Sequence, residues 1–121
     1  MTNILEKIVQ DKKESLIEIK KANSLNVLEN KIKTLSNFFD FKQSITKNKN
    51  VSLITEIKKA SPSAGVLVKD FNHINIAKMY IDNGATCLSV LTEEKHFLGK
   101  LDYIKDIKDK FKIPVLAKDF F

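Results

Sequence analysis

Apolar positions in the first part of the chain recur every three to four residues. Over residues 3–22, NILEKIVQDKKESLIEIKKA, Ile4, Leu5, Ile8, Val9, Leu16 and Ile19 fall at mostly helical spacing with charges between them, which predicts an amphipathic helix. The next stretch, NSLNVLENKIKTLSNFF, sets Leu25, Leu28, Ile32 and Leu35 on one helical face, with Asn and Ser residues available as the cap. DFKQSITKNKN reads as a short helix and a polar link. Residues 1–50 are thus expected to be a helical extension preceding the first strand.

After residue 50 the rhythm changes. VSLITEI is β-branched and apolar, HINIAKMYIDNGA reads as a helix of about three turns ending at Gly84, and TCLSVLTE is a second buried strand. GKLDYIKDIKDKFKI then forms a helix carrying Leu101, Ile104, Ile107 and Phe111, and Pro114 opens a third strand, PVLAKDFF. The order is β-α-β-α-β. Strands apolar along their whole length and separated by helices predict an α/β fold with a parallel sheet and right-handed crossovers. Residues 51–121 are expected to be one such unit, which ends at its third strand with no helix to cover that edge.

Composition narrows the function classes. The chain has 121 residues, 43% of them hydrophobic, and no apolar run approaches the roughly 20 residues of a membrane span. The N-terminus mixes charge with apolar residues from the start, unlike a secretory signal, so a soluble cytoplasmic protein is expected. All 21 basic residues are Lys, and the net charge is +6. The excess is spread out, with no dense basic stripe and no aromatics alternating with lysines, which argues against nucleic acid as a partner. Without Arg, an anion must be held by Lys or by backbone amides. The lone Cys87, inside ATCLSVL, reads as a small core residue, and no Cys/His cluster has metal-ligand spacing.

In parallel α/β sheets and barrels the active site is built at the C-terminal ends of the strands, and the unusual polar residues fall there. The first strand ends in Glu56-Ile57-Lys58, and a period of two puts Glu56 and Lys58 on one side. A carboxylate and an ammonium on an inward face are costly unless paired or used. The following loop, KASPSAG, offers Ser61 and Ser63 as donors, Pro62 as a stiffener and Gly65 for positive φ. The second strand ends in LTEEKHFLG, with Thr92, Glu93, Glu94 and Phe97; the third ends in LAKDFF, where alternation puts Lys118 and Phe120 on one side and Asp119 on the other. This set suits a phosphorylated, partly aromatic substrate. On spacing alone the default readings are the lysines as solvated strand ends, the phenylalanines as core or interface residues, and His73 and His96 as surface polar residues.

Taken together, EIKKASPS, SVLTEEKHFLG and PVLAKDF, preceded by ILEKIVQDKKESL, resemble the N-terminal part of the indole-3-glycerol phosphate synthases, and the matching pieces run in order over nearly the whole chain. The resemblance implies a TIM (β/α)8 barrel behind a helical extension. It also implies a carbon-carbon lyase of tryptophan synthesis that converts 1-(2-carboxyphenylamino)-1-deoxyribulose 5-phosphate to indole-3-glycerol phosphate, releasing carbon dioxide and water without cofactor or metal. By resemblance Lys118 is the general acid, with burial expected to lower its pKa. Lys58, paired with Glu56, positions and neutralises the substrate's anionic groups; Ser61 and Pro62 line the pocket near its carboxylate; Phe97 and Phe120 pack on its aromatic ring. Other enzymes of tryptophan synthesis are candidate partners. The family's second catalytic Glu, its Asn and its phosphate-binding Ser and Gly amides belong to later strands. A truncated N-terminal segment with little turnover of its own is therefore expected. The alternatives are another phosphate-handling barrel isomerase or aldolase, and a non-catalytic half-barrel that binds phosphate or a partner chain.

Overall fold

The computed structural model describes residues 3–47 and 50–121, so the end of the expected polar link, at 48 and 49, lies outside the described residues. The chain forms two compact units, Met1–Phe38 and Phe39–Phe121. In the first, helix α1 spans Ile4–Ala22 and helix α2 spans Leu25–Lys33. Asn3 caps α1 by accepting from Leu5 N, and Glu6 reaches back to the Asn3 amide. Ser24 caps α2. Of the apolar positions expected on these helices only Ile8 is buried, and Ile4, Leu5, Leu28 and Ile32 stay exposed. The α2 pattern ran on to Phe39, but the helix stops at Lys33. There the last turn tightens, with Thr34 N and Leu35 N donating three residues back and the Thr34 hydroxyl donating to Lys31 O.

The second unit opens with the short helix α3, Phe41–Thr46, capped by Asp40. Strand β1, Ile54–Ile57, is followed by a small antiparallel hairpin, β2 (Ala60–Ser61) and β3 (Gly65–Val66), where a plain loop was expected. Gly65 takes φ +67° at its turn, as the sequence required. Helix α4 is His73–Asp82, β4 is Cys87–Leu91, α5 is Asp102–Lys110 and β5 is Val115–Lys118. Beyond α4, Gly84 at φ +92° turns the chain toward β4. Helix α5 starts later than its apolar pattern, because the Gly99 amide is engaged by Glu93 O and its backbone is pressed against the Leu91 carbonyl.

The main sheet is parallel in the order β1-β4-β5, with Glu56 beside Ser89 and Ser89 beside Leu116. β4 is buried at every position, Ser89 included, as fits a strand paired on both edges and read from the sequence as buried. β1 and β5 are buried less uniformly, and Ile54 and Leu116 are exposed although their strands were read as apolar throughout. The alternation of strand side chains divides the sheet into two faces. On one face Ile57, Leu88 and Val90 pack with Ala77 of α4 and Ile107 of α5 into the core, joined by Ile113. The other face presents Glu56, Ser89 and Lys118. Strands carrying helices on one side and polar functional groups on the other are the arrangement of a (β/α)8 barrel wall.

Candidate active site

Three of the expected residues meet on the helix-free face. Glu56 Oε2 accepts from Lys118 Nζ at 2.7 Å, and Glu56 Oε1 lies 3.1 Å from Lys58 Nζ. One carboxylate therefore bridges two ammoniums that come from the ends of the first and last parallel strands. The Ser89 hydroxyl adds a longer bond to Glu56 Oε2 at 3.4 Å. Tyr80 of α4 donates to the Glu56 backbone carbonyl at 3.2 Å, which fixes the strand at the residue that carries the carboxylate. Packing on one face thereby sets geometry on the other.

The cluster is half-buried: 28% of the Glu56 side chain, 34% of Lys58 and 40% of Lys118 remain exposed. Burial pushes the Glu56 carboxyl up, but the hydrogen bonds and charges of Lys118 and Lys58 together outweigh it and hold the group below its ordinary range. Lys118 was expected to have its pKa lowered by burial. It moves the other way: the hydrogen bond to Glu56 raises it, and desolvation of a side chain this exposed is too weak to reverse the sign. Lys118 is thus held as an ammonium.

A cavity of about 580 Å³ opens over this face, lined by Ile54, Glu56, Ser89, Leu116, Lys118 and Phe120 among others. That is within the ordinary size of small-molecule sites. Phe120 faces Phe97 with ring centroids 6.2 Å apart and planes tilted by 50°, which sets an aromatic edge beside the charged cluster. Alternation was expected to carry Asp119 to the opposite side from Lys118 and Phe120. The strand instead ends at Lys118, Asp119 takes φ 45°, and Lys118, Asp119 and Phe120 all line the cavity.

Ser61 and Pro62 sit in the hairpin and are not among the cavity-lining residues. The Ser61 hydroxyl serves its own turn, accepting from Ala64 N at 3.2 Å. At the end of β4, Thr92 is buried, and its hydroxyl donates to the carbonyls of Asp119 at 2.8 Å and Lys118 at 3.2 Å, tying the two strand ends together. Thr92 was among the polar residues expected at this strand end, whereas Ser89 is the contributor that spacing did not single out for a site. A lone Ser within the apolar run CLSVL was the available signal for it. His73, read as surface polar, is mostly buried: it bonds Asp106 Oδ2 at 2.9 Å and stacks on Tyr103 with centroids 4.3 Å apart. It joins α4 to α5 and lies outside the cavity lining. Cys87 is fully buried, and burial pushes its thiol pKa up.

Among the described residues no group of three or more His, Cys, Asp or Glu side chains is placed to hold a metal ion, and no helix is long and apolar enough to cross a membrane. Chemically the cluster offers two ammoniums with the Glu56 carboxylate between them, a hydroxyl and an aromatic edge, while the Asp119 carboxylate also lines the cavity. Ammoniums beside an aromatic edge can hold the anionic groups of a ligand that carries a ring.

The family model for indole-3-glycerol phosphate synthase matches residues 5–121. The chain belongs to the indole-3-glycerol phosphate synthase family. Among curated proteins named indole-3-glycerol phosphate synthase, that of Clostridium acetobutylicum is 48% identical over 118 residues, 97% of this chain and 45% of the relative. That of Desulforamulus reducens is 44% identical, over 97% of the chain and 44% of the relative. That of Legionella pneumophila strain Lens is 45% identical, over 99% and 46%. The chain thus spans just under half the length of these relatives. Family membership agrees with the parallel sheet and its helices, which form part of the family's TIM barrel.

Proposed function

We propose that the chain carries the first three strands of an indole-3-glycerol phosphate synthase active site. In this reading residues 1–50 are a helical extension and residues 51–121 the opening part of the barrel, in a soluble cytoplasmic enzyme of tryptophan synthesis. The observation that supports it most is the Glu56 carboxylate bridging Lys58 and Lys118 at one end of the parallel sheet, with Phe97 and Phe120 alongside.

The chemistry required is ring closure followed by loss of carbon dioxide and water. As the anthranilate ring carbon that bears the carboxylate attacks the ketone carbon, negative charge grows on the ketone oxygen. An ammonium there supplies a proton and removes the charge. Lys118 has that role. Because Glu56 keeps it protonated, it enters the cycle in its acid form. Departure of carbon dioxide returns the bonding electrons to the ring and restores aromaticity. Loss of the new hydroxyl as water, with a proton from the adjacent carbon, completes the indole. Lys58 neutralises the substrate's anionic groups and assists the proton transfers, while Glu56 holds both ammoniums in place. Phe97 and Phe120 pack on the aromatic ring, and Ser61 and Pro62 of the hairpin are assigned to the substrate's carboxylate by resemblance, outside the cavity lining of this chain. Proton transfer by lysine calls on no cofactor.

The test joins residues 1–121 to the part of the Clostridium acetobutylicum relative that lies beyond the match and follows indole fluorescence on adding 1-(2-carboxyphenylamino)-1-deoxyribulose 5-phosphate. Formation of indole-3-glycerol phosphate is expected. Substrate binding without product would support a non-catalytic anion-binding module instead, and neither binding nor product would overturn both readings.

A further inference from the structure

We propose that Glu93 is a positioning residue for the substrate's ring, acting through Phe97; this rests on the reading above that Phe97 and Phe120 receive that ring. Glu93 follows β4 directly and does not line the cavity. Its carboxylate is turned onto its own loop, where Oε1 accepts from Lys95 N at 3.0 Å and Oε2 accepts from His96 N at 2.7 Å and Phe97 N at 2.9 Å. Its carbonyl accepts from Gly99 N at 2.7 Å. Four amides in the stretch that presents Phe97 therefore converge on one residue.

Two further features fix the same loop. Leu98 holds φ 52°, a left-handed conformation that a residue with a branched side chain keeps only where its surroundings impose it. Gly99 packs so closely on Leu91 that a Cβ would lie 2.2 Å from the Leu91 carbonyl oxygen, so the loop is anchored to the last residue of β4. Between the carboxylate clamp and this anchor stands Phe97, whose ring meets Phe120 of the cavity lining. A loop clamped this way presents one orientation of Phe97 before substrate arrives, which lowers the ordering cost of binding. Only a carboxylate serves. Glutamine has the same length but a single acceptor oxygen, and its NH2 would face a backbone N–H.

The experiment uses the grafted barrel described above, with Glu93→Gln, Phe97→Ala and the pair, and Glu93→Asp as a milder variant that keeps both acceptors at shorter reach. Glu93→Gln is expected to raise KM by about fivefold to tenfold, the size of one displaced ring contact, with kcat changed less than about twofold. Amide exchange at Lys95, His96 and Phe97 should quicken, and Glu93→Asp should fall between the two. In the Phe97→Ala background, Glu93→Gln should add nothing to KM. An unchanged KM alongside faster exchange, or the same rise in KM with and without Phe97, would overturn the positioning role and leave Glu93 a plain loop staple. Absence of product from the unsubstituted graft would overturn the functional reading and this proposal with it.

Discussion

Replacing Glu56 by Gln removes the negative charge between two ammoniums while keeping the side chain's size. Its energetic effect follows from the geometry. Fully exposed ion pairs couple by roughly 0.2–1 kcal/mol, whereas stripping one partner from a buried pair costs about 3–5 kcal/mol. The Lys118 contact is short, at 2.7 Å, but both side chains keep 28–40% of their surface in water. Solvent screening therefore places the coupling near the upper end of the exposed range, at about 1 kcal/mol. A double-mutant cycle of Glu56→Gln, Lys118→Met and the pair, read by urea unfolding of the chain, should return about that value at low salt and less at 1 M salt, where the Debye length is about 3 Å. In the same variant the Lys118 ammonium, now raised by Glu56, should titrate at lower pH, as followed by NMR of the lysine Cε. Additive stabilities, or a Lys118 titration that ignores Glu56, would refute the bridging carboxylate as the organiser of the cluster.

Stability should depend on pH in two windows. The folded Glu56 carboxyl lies below its ordinary value of 4.5, so its contribution is complete above that pH and is lost as pH falls through the lowered value; Glu56→Gln should flatten this acid limb of the urea midpoint. Lys118 lies above its ordinary 10.5, so its contribution is complete below that pH and is lost as pH rises through the raised value. Gly99→Ala should destabilise by about 1–3 kcal/mol because the added Cβ meets backbone at 2.2 Å, and a stability equal to the parent would disprove the close approach. Ile107→Ala, at a fully buried position of α5 against the sheet, should cost about 2–5 kcal/mol by the same assay.

How much of this was legible in the sequence depended on the range of the interaction. β4 could be read as a buried strand from its apolar run, but its place between β1 and β5 could not, because all three strands were read as apolar throughout. Glu56 and Lys58 could be placed together from their two-residue spacing, and the 3.1 Å contact needs nothing more. The bond between Glu56 and Lys118 links positions 62 residues apart. It depends on the strand order β1-β4-β5 and on a register that sets Glu56 beside Ser89 and Leu91 beside Lys118. Periodicity fixes a face but not a register, and the sequence reading accordingly paired Glu56 with Lys58 alone.

The direction of the Lys118 shift was misjudged for a related reason. Burial was expected with the acid role that the resemblance implies, whereas the side chain stands at a strand end, 40% exposed, against a carboxylate. The period of two also failed beyond β5, where Asp119 leaves the extended region at φ 45° and brings Phe120 to the cavity by a different path. Helix α5 began at Asp102, three residues after Gly99, where its stretch was read to open, because Glu93 and Leu91 claim the backbone of Gly99. In the last two cases local backbone geometry overrode a pattern that was otherwise correct.

The claim at the centre of this account is that Lys118, held protonated by Glu56, is the acid for ring closure. The direct measurement is the steady-state rate of indole-3-glycerol phosphate formation by the grafted barrel with Lys118→Met. A loss of about 10²–10⁴ in kcat with little change in KM is predicted, since the residue acts on charge that develops in the transition state. A rate close to that of the unsubstituted graft would contradict the assignment and move the acid elsewhere in the site.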